Sequence, residues 1–208
     1  MMPRRSVFAL PLALALLGAA PDPTVEAGAF IRAAGNDLSG IIGADTAPAE
    51  KRRRLADFLD RAVDIPAVAR FCLGRFWRRA TPAEQARYLT LYRGILLESV
   101  LARVGEYRHP EAQGMAVAIG RPDTREGDIY VPTTVTRPGQ PPAAVTWVVR
   151  PEPGGPRIVD LIAEGTSLRI TVRADYASFL NRHDDSIAAL LDAMARQVSL
   201  AEAPAAGH

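Results

Sequence analysis

Around residue 113 the spacing of apolar side chains changes, and this restricts the fold more than any other feature of the chain. Upstream, apolar residues recur at three- and four-residue steps. Downstream, four runs alternate: Met115, Val117 and Ile119 in "GMAVAIG", Ile129, Val131, Thr133 and Val135 in "DIYVPTTVTR", Val145, Trp147 and Val149 in "AAVTWVVR", and a fourth run in "RIVDLIAEG". Period two marks strands that bury one face, and a period near 3.6 marks helices that bury one stripe. The links "GRPDTREGD", "RPGQPP" and "RPEPGGP" are polar and turn-rich. Sequential strands joined this way pair antiparallel, so the pattern predicts a meander of four to five strands. Pro132 lies inside the second run and has no N–H to give a ladder. It predicts an edge position or a bulge that bends the sheet.

Helical runs flank the meander. Val25, Phe30, Ile31, Leu38, Ile41 and Ile42 share helical spacing, and Leu55, Phe58, Leu59 and Val63 form one face behind Pro48, with Asp45 or Thr46 as the expected cap. The basic run Lys51–Arg54 falls on that second helix, with Asp57 and Asp60 nearby, and reads as a solvated, partly paired face. Asp64 and Thr81 are further N-caps, and Glu84 completes a capping box with Thr81. The helix from Pro82 to about Val104 has a wide apolar face that includes Tyr88, Tyr92 and Leu96, as expected for packing against more than one layer. After the meander, Leu168, Val172, Tyr176, Phe179 and Leu180 form one run, and Ile187, Leu190, Leu191, Met194 and Val198 another, capped by Asp184 or Asp185. Residues 170–172 are compatible with either helix or strand. Helices, meander, helices is an α+β order: a curved antiparallel sheet with helices over one face and an apolar pocket between them. The 208 residues suffice for a single domain, expected over residues 21–200, with a disordered tail over 201–208.

The stretch "FCLGRFWRRATPAEQ" raises a choice. Phe71, Phe76 and Trp77 sit among Arg75, Arg78 and Arg79, which suits either a nucleic-acid surface or the corner of a packed core. Charge decides between them. The N-terminal "MMPRRSVFALPLALALLGAAPDP" has the basic, apolar and small-residue layout of a signal peptide over residues 1–20, and its apolar run is too short to span a bilayer. Export removes Arg4 and Arg5, leaving 23 basic residues against 23 acidic ones. A neutral mature chain lacks the basic surplus of a nucleic-acid binder. The aromatics therefore read as a helix–turn–helix corner: Phe71, Leu73 and Phe76 inward, Trp77 pinning the corner, the three arginines outward. Cys72 is the only cysteine, so no intramolecular disulfide forms, and it reads as a buried small hydrophobe.

Catalytic motifs are scarce. There is no glycine-rich phosphate loop and no cofactor motif, and Gly165-Thr166-Ser167 is not a nucleophile elbow. His109, His183 and His208 lack metal-ligand spacing. Asp160, flanked by apolar residues in "RIVDLIAEG", has two readings. In an apolar pocket it is a general base of a small α+β enzyme; at a strand end it is a structural carboxylate paired with an arginine. Trp147 and Tyr130 on strands read as core aromatics. What remains is an apolar domain suited to carrying an apolar ligand between sheet and helices.

Two blocks carry a family resemblance. "FCLGRFWRRATPAEQARYLTLYRGIL", preceded by Asp64-Ile65, and "RIVDLIAEGTSLRITVRADYASFL", with Arg173 and Tyr176, are similar in order and spacing to the MlaC, or toluene-tolerance, family of periplasmic phospholipid-binding proteins. The resemblance spans roughly residues 24–200, and Cys72 stands where members commonly have another apolar residue. It implies a non-enzymatic periplasmic shuttle of an Mla-type lipid-transport system that maintains outer-membrane lipid asymmetry. The implied partners are a phospholipid, an inner-membrane ABC transporter with an MCE-domain ring, and an outer-membrane lipoprotein–porin complex. A hopanoid is the alternative cargo. On this reading Phe71, Leu73, Phe76, Leu96, Val131, Val135, Trp147 and Val149 are candidates to line the acyl pocket, and Arg75, Arg78 and Arg79 to meet a head group or partner.

Overall fold

The structure is a computed structural model that describes residues 22–106, 116–137 and 139–202. Residues 1–20, read above as a signal peptide, His109, Met115 and residues 203–208 lie outside the described residues.

Helix α1 (Pro23–Gly43) starts where the Asp22 side chain accepts the Thr24 N–H at 2.9 Å, and it buries Ala27, Ile31 and Ile41. Helix α2 (Pro48–Ala62) buries Leu55, Phe58, Leu59 and Ala62. Its N-cap is Ala47, which offers no side-chain oxygen, rather than Asp45 or Thr46. Pro48 pre-sets the first turn and takes over the starting role. Helix α3 (Ile65–Leu73) is capped by Asp64, which accepts the Ala67 N–H at 3.0 Å. It stops at Gly74, whose φ of 59° lies in the region that glycine enters without a Cβ penalty. A 3₁₀ turn, Gly74–Arg78, leads to α4 (Pro82–Glu106). The expected capping box closes it: Glu84 Oε2 accepts the Thr81 N–H at 2.8 Å, and Thr81 Oγ1 accepts the Glu84 N–H at 3.3 Å.

Six strands follow among the described residues: β1 (Ala116–Ile119), β2 (Asp123–Arg125), β3 (Asp128–Arg137), β4 (Gln140–Arg150), β5 (Arg157–Ala163) and β6 (Thr166–Ser167). They form one antiparallel sheet of order β1-β3-β4-β5-β6, with β2 also on β3. The meander is therefore present, but its first link is not all loop. Residues Asp123–Arg125 pair with β3, and only Glu126 and Gly127, at φ 51° and 86°, make the turn. Glu164 and Gly165 repeat this at φ 48° and 80° between β5 and β6. Two consecutive positive-φ residues give the turn whose twist matches antiparallel strands.

Pro132 explains the division of β1 from β2. Its carbonyl accepts the Gly120 N–H at 2.8 Å, so its ring nitrogen points to the same side, where a paired strand would demand an N–H. Pairing stops at Ile119↔Thr133 and resumes at Asp123↔Tyr130. Pro132 thus lies in an interior strand, tolerated because its neighbour is interrupted there. A second irregularity lies between Val148↔Asp160 and Val149↔Ile158, where Val159 is the extra residue.

Helix α5 (Leu168–Asn181) begins directly after β6, with Ser167 Oγ accepting the Ile170 N–H at 3.2 Å, so residues 170–172 are helical. Helix α6 (Ile187–Glu202) starts from Ser186, whose hydroxyl accepts the Ala189 N–H at 3.2 Å. Asp184 and Asp185 instead sit at φ 52° and 57° in the preceding turn and do not cap it. One core cluster joins α1–α6, α5 through Leu180, to Ile129 and Val131 of β3, Val149 of β4 and Ile158 of β5. The α2–α3 junction is fastened to the start of β5. The Asp64 N–H donates to Ile158 O at 2.9 Å, and Arg157 Nη1 donates to the Asp60 and Arg61 carbonyls at 2.7 and 2.8 Å. Of the basic run on α2, Lys51 reaches Ile42 O at 2.9 Å, Arg53 pairs with Glu50 and Arg52 with Glu98. No helix among the described residues is long and apolar enough to cross a membrane.

Candidate functional site

Strand register and burial together pick out the sheet face that meets the core cluster, while Val148 on the opposite face is also fully buried. Ile129, Val131 and Thr133 are buried opposite Val149, Trp147 and Val145. Val135 lies on the same face, four residues beyond Val131. All four sheet candidates for the acyl pocket therefore share one side. Val131 and Val149 are fully buried, in one cluster with Leu73 and Phe76, while Phe71, Leu96 and Trp147 pack half-buried against it. Val135 falls outside that cluster. The one polar side chain buried on this face is neutralised locally: Thr133 Oγ1 donates to Val145 O at 2.8 Å and accepts the Trp147 indole N–H at 3.2 Å.

The inward face is covered unevenly. It is sealed at Ile129 and Val149 and opens toward the other end of the sheet. There Val135 and Val145 are partly exposed, and Val117, paired with Val135, is 54% exposed. An apolar sheet surface thus runs out past its helical cover among the described residues.

Behind the α3–α4 corner lies an aromatic cluster. Tyr88 is fully buried, with ring centroids 6.3 Å from Trp77, 5.9 Å from Tyr92 and 6.2 Å from Tyr176. Its hydroxyl donates to Ala69 O at 2.9 Å. Burial pushes the phenol pKa values of Tyr88, Tyr92 and Tyr176 up, so all three stay neutral. Cys72 is buried at 3.5 Å from both the Tyr92 hydroxyl and Arg169 O, and desolvation raises its thiol pKa. A thiol held protonated is a poor nucleophile.

Asp160 is buried, and both its oxygens are engaged. Oδ1 accepts the N–H groups of Leu161 at 2.8 Å and Arg169 at 3.1 Å, while Oδ2 accepts the Ser167 hydroxyl at 2.5 Å and lies 3.3 Å from Arg169 Nε. This carboxylate ties the β5 bulge to the first turn of α5. It is the arginine-paired strand carboxylate, not an open base.

The arginines of the 71–85 stretch divide. Arg79 Nη1 bonds Asp185 Oδ2 at 2.7 Å, and Arg75 lies 3.3 Å from Asn181 Oδ1 and 3.9 Å from Asp185. Both guanidiniums also lie over the ring of Phe76. Arg78 has no carboxylate partner among the described residues. A cleft of about 370 Å³ opens beside it, walled by Phe71 and Trp77, with Gly74 between them and Arg70, Arg75, Arg78 and Arg173 around it. Arg70 and Arg173 were not candidates from sequence, since Arg173 reaches the corner only through the packing of α5 on α3. A second cavity, about 240 Å³, mixes Arg54 and Arg61 with Asp37 and Asp57. Among the described residues no group of three His, Cys, Asp or Glu side chains could hold a metal ion.

The sequence matches the family model of the MlaC protein over residues 36–196. The fold is similar to a phospholipid-binding protein from Ralstonia solanacearum, solved in complex with a phospholipid. The two agree at a TM-score of 0.72 and 20% identity, over 85% of this chain and 98% of that one. No curated protein matches the chain.

Proposed function

Because this chain belongs to the MlaC family, we propose that it is a periplasmic phospholipid shuttle, carrying lipid through water between membrane complexes of an Mla-type transport system. The observation that carries the reading is the inward sheet face, which presents Val131, Val149, Val135 and the exposed Val117, with its buried Thr133 hydroxyl bonded within the sheet. A fold-level relative from Ralstonia solanacearum that holds a phospholipid supports the same cargo class. Acyl chains would lie between this face and α3–α4, against Phe71, Leu73, Phe76 and Leu96.

The energetics favour a carrier. Each buried methylene contributes about 0.8 kcal/mol, so one sixteen-carbon chain gains on the order of 12 kcal/mol before ordering costs. A free phospholipid therefore leaves a membrane too slowly to be useful. An enclosed apolar slot removes that barrier, and the same affinity makes unaided release slow. Handover then needs contact with partners that open the slot. On this proposal those are an inner-membrane ABC transporter with an MCE-domain ring and an outer-membrane lipoprotein–porin complex. Export by the N-terminal segment would place the protein between them.

Native mass spectrometry of protein from the periplasm, followed by lipid extraction, tests this. Phospholipid at close to one per chain is the expected result. A hopanoid in its place would keep the carrier and change its cargo. A protein that is empty, and stays empty after incubation with vesicles, would overturn the reading.

A further inference from the structure

We propose that the cleft beside Gly74 is a phosphate-binding subsite, separate from the sheet face proposed above to meet acyl chains. Arg70, Arg78 and Arg173 converge on it, and none has a carboxylate partner among the described residues. Their neighbours do: Arg79 and Arg75 are held by Asp185, and Arg169 by Asp160. No carboxylate is among the residues that line the cleft, so it gathers a local surplus of positive charge.

The guanidiniums are also arranged. Arg70 lies over the Trp77 ring at 5.3 Å, and Arg173 over the Phe71 ring at 4.9 Å. Stacking occupies the flat face of a guanidinium and leaves its N–H edge to meet an anion. Only one weak bond, 3.4 Å from Arg173 Nη1 to Phe71 O, uses that edge. Gly74 makes room: an added Cβ would lie 3.3 Å from the Arg173 guanidinium carbon. The oxygens of a phosphate can accept from several such forks at once. At about 370 Å³ the cleft has room for a phosphate together with the organic group it esterifies. The ligand class is therefore a phosphate ester, whether on a lipid head group at a membrane surface or free in solution.

The test is an NMR titration of the full mature chain with inorganic phosphate, against sodium chloride at equal ionic strength. Saturable shifts at the Gly74 amide and the Trp77 indole, with the Trp147 indole unmoved, are expected. The Arg70→Ala/Arg173→Ala double variant should lose affinity by about tenfold or more, and Arg→Lys at both positions should recover part of it. Arg32→Ala, on the distant α1, should not change it. No saturable shift, or one unchanged in the double variant, overturns the proposal. Flotation with phosphatidylglycerol-containing and pure phosphatidylcholine vesicles then separates the sources. Binding to the anionic vesicles that the double variant loses assigns the site to lipid head groups, and phosphate binding without flotation assigns it to soluble esters. The site does not rest on the carrier reading: protein empty of lipid that still binds phosphate here would sink the carrier and leave the subsite.

Discussion

Removing the Asp160 carboxylate would strand Arg169, whose side chain is only 18% exposed, and would free the Ser167 hydroxyl that starts α5. Breaking a buried pair this way costs about 3–5 kcal/mol, so Asp160→Ala should lower the urea midpoint accordingly. Asp160→Asn, which keeps the shape and one acceptor oxygen, should cost less. Cys72 yields a different prediction. Its thiol is 1% exposed and its pKa is raised, so alkylation at neutral pH should proceed only at the rate of opening and become fast in denaturant. Rapid labelling of the native protein would contradict the placement. These roles were legible in sequence to the extent that they are local. The apolar flanks of Asp160 and Cys72 announced burial, but the partners Arg169 and Tyr92 are set by packing, which spacing does not encode.

At the scale of elements, caps and turns written in adjacent residues were readable. Asp64, and Thr81 with Glu84, start their helices as expected, because the bonds involved span three residues. Ser186 displaced the two aspartates before α6, since the chain turns through positive φ at both of them and only then enters the helix. The α2–α4 contact carries a pH signature. Arg93 grips Asp60 through bonds of 2.7 and 2.6 Å, and the hydrogen-bonded guanidinium holds that carboxyl below its ordinary pKa of 3.8. A depressed folded-state pKa adds stability that is complete above the unfolded value and is lost as pH falls through the folded one. Acid unfolding below pH 3.8 should therefore be less steep in Asp60→Asn, which is already weakened at neutral pH. Because Asp60 and Arg93 are each more than 40% exposed, the effect should shrink in high salt.

For the molecule as a whole, the α+β order followed from the change of period, but the inward face of the sheet did not, because a one-residue slip exchanges the two faces. Register and burial together resolve it and put Val135 at the margin between sealed core and open surface. Val135→Asp should leave the melting temperature within a few degrees of the parent while retained lipid falls several-fold on extraction. Unchanged lipid content would move the cargo elsewhere. Val131→Asp, at a fully buried position, should instead prevent folding. The strand interruption at Pro132 bears on how such a protein lives at high concentration. An open apolar sheet invites a second copy to add its own strand along the free edge, the route by which soluble chains polymerise. Among the described residues that edge is offered as Ala116–Ile119 and Asp123–Arg125, offset by Gly120–Pro122 and ending in a charged pair. An incoming strand finds no straight row of free backbone groups on which to register, so the proline that breaks the ladder also guards the protein against joining itself into fibres.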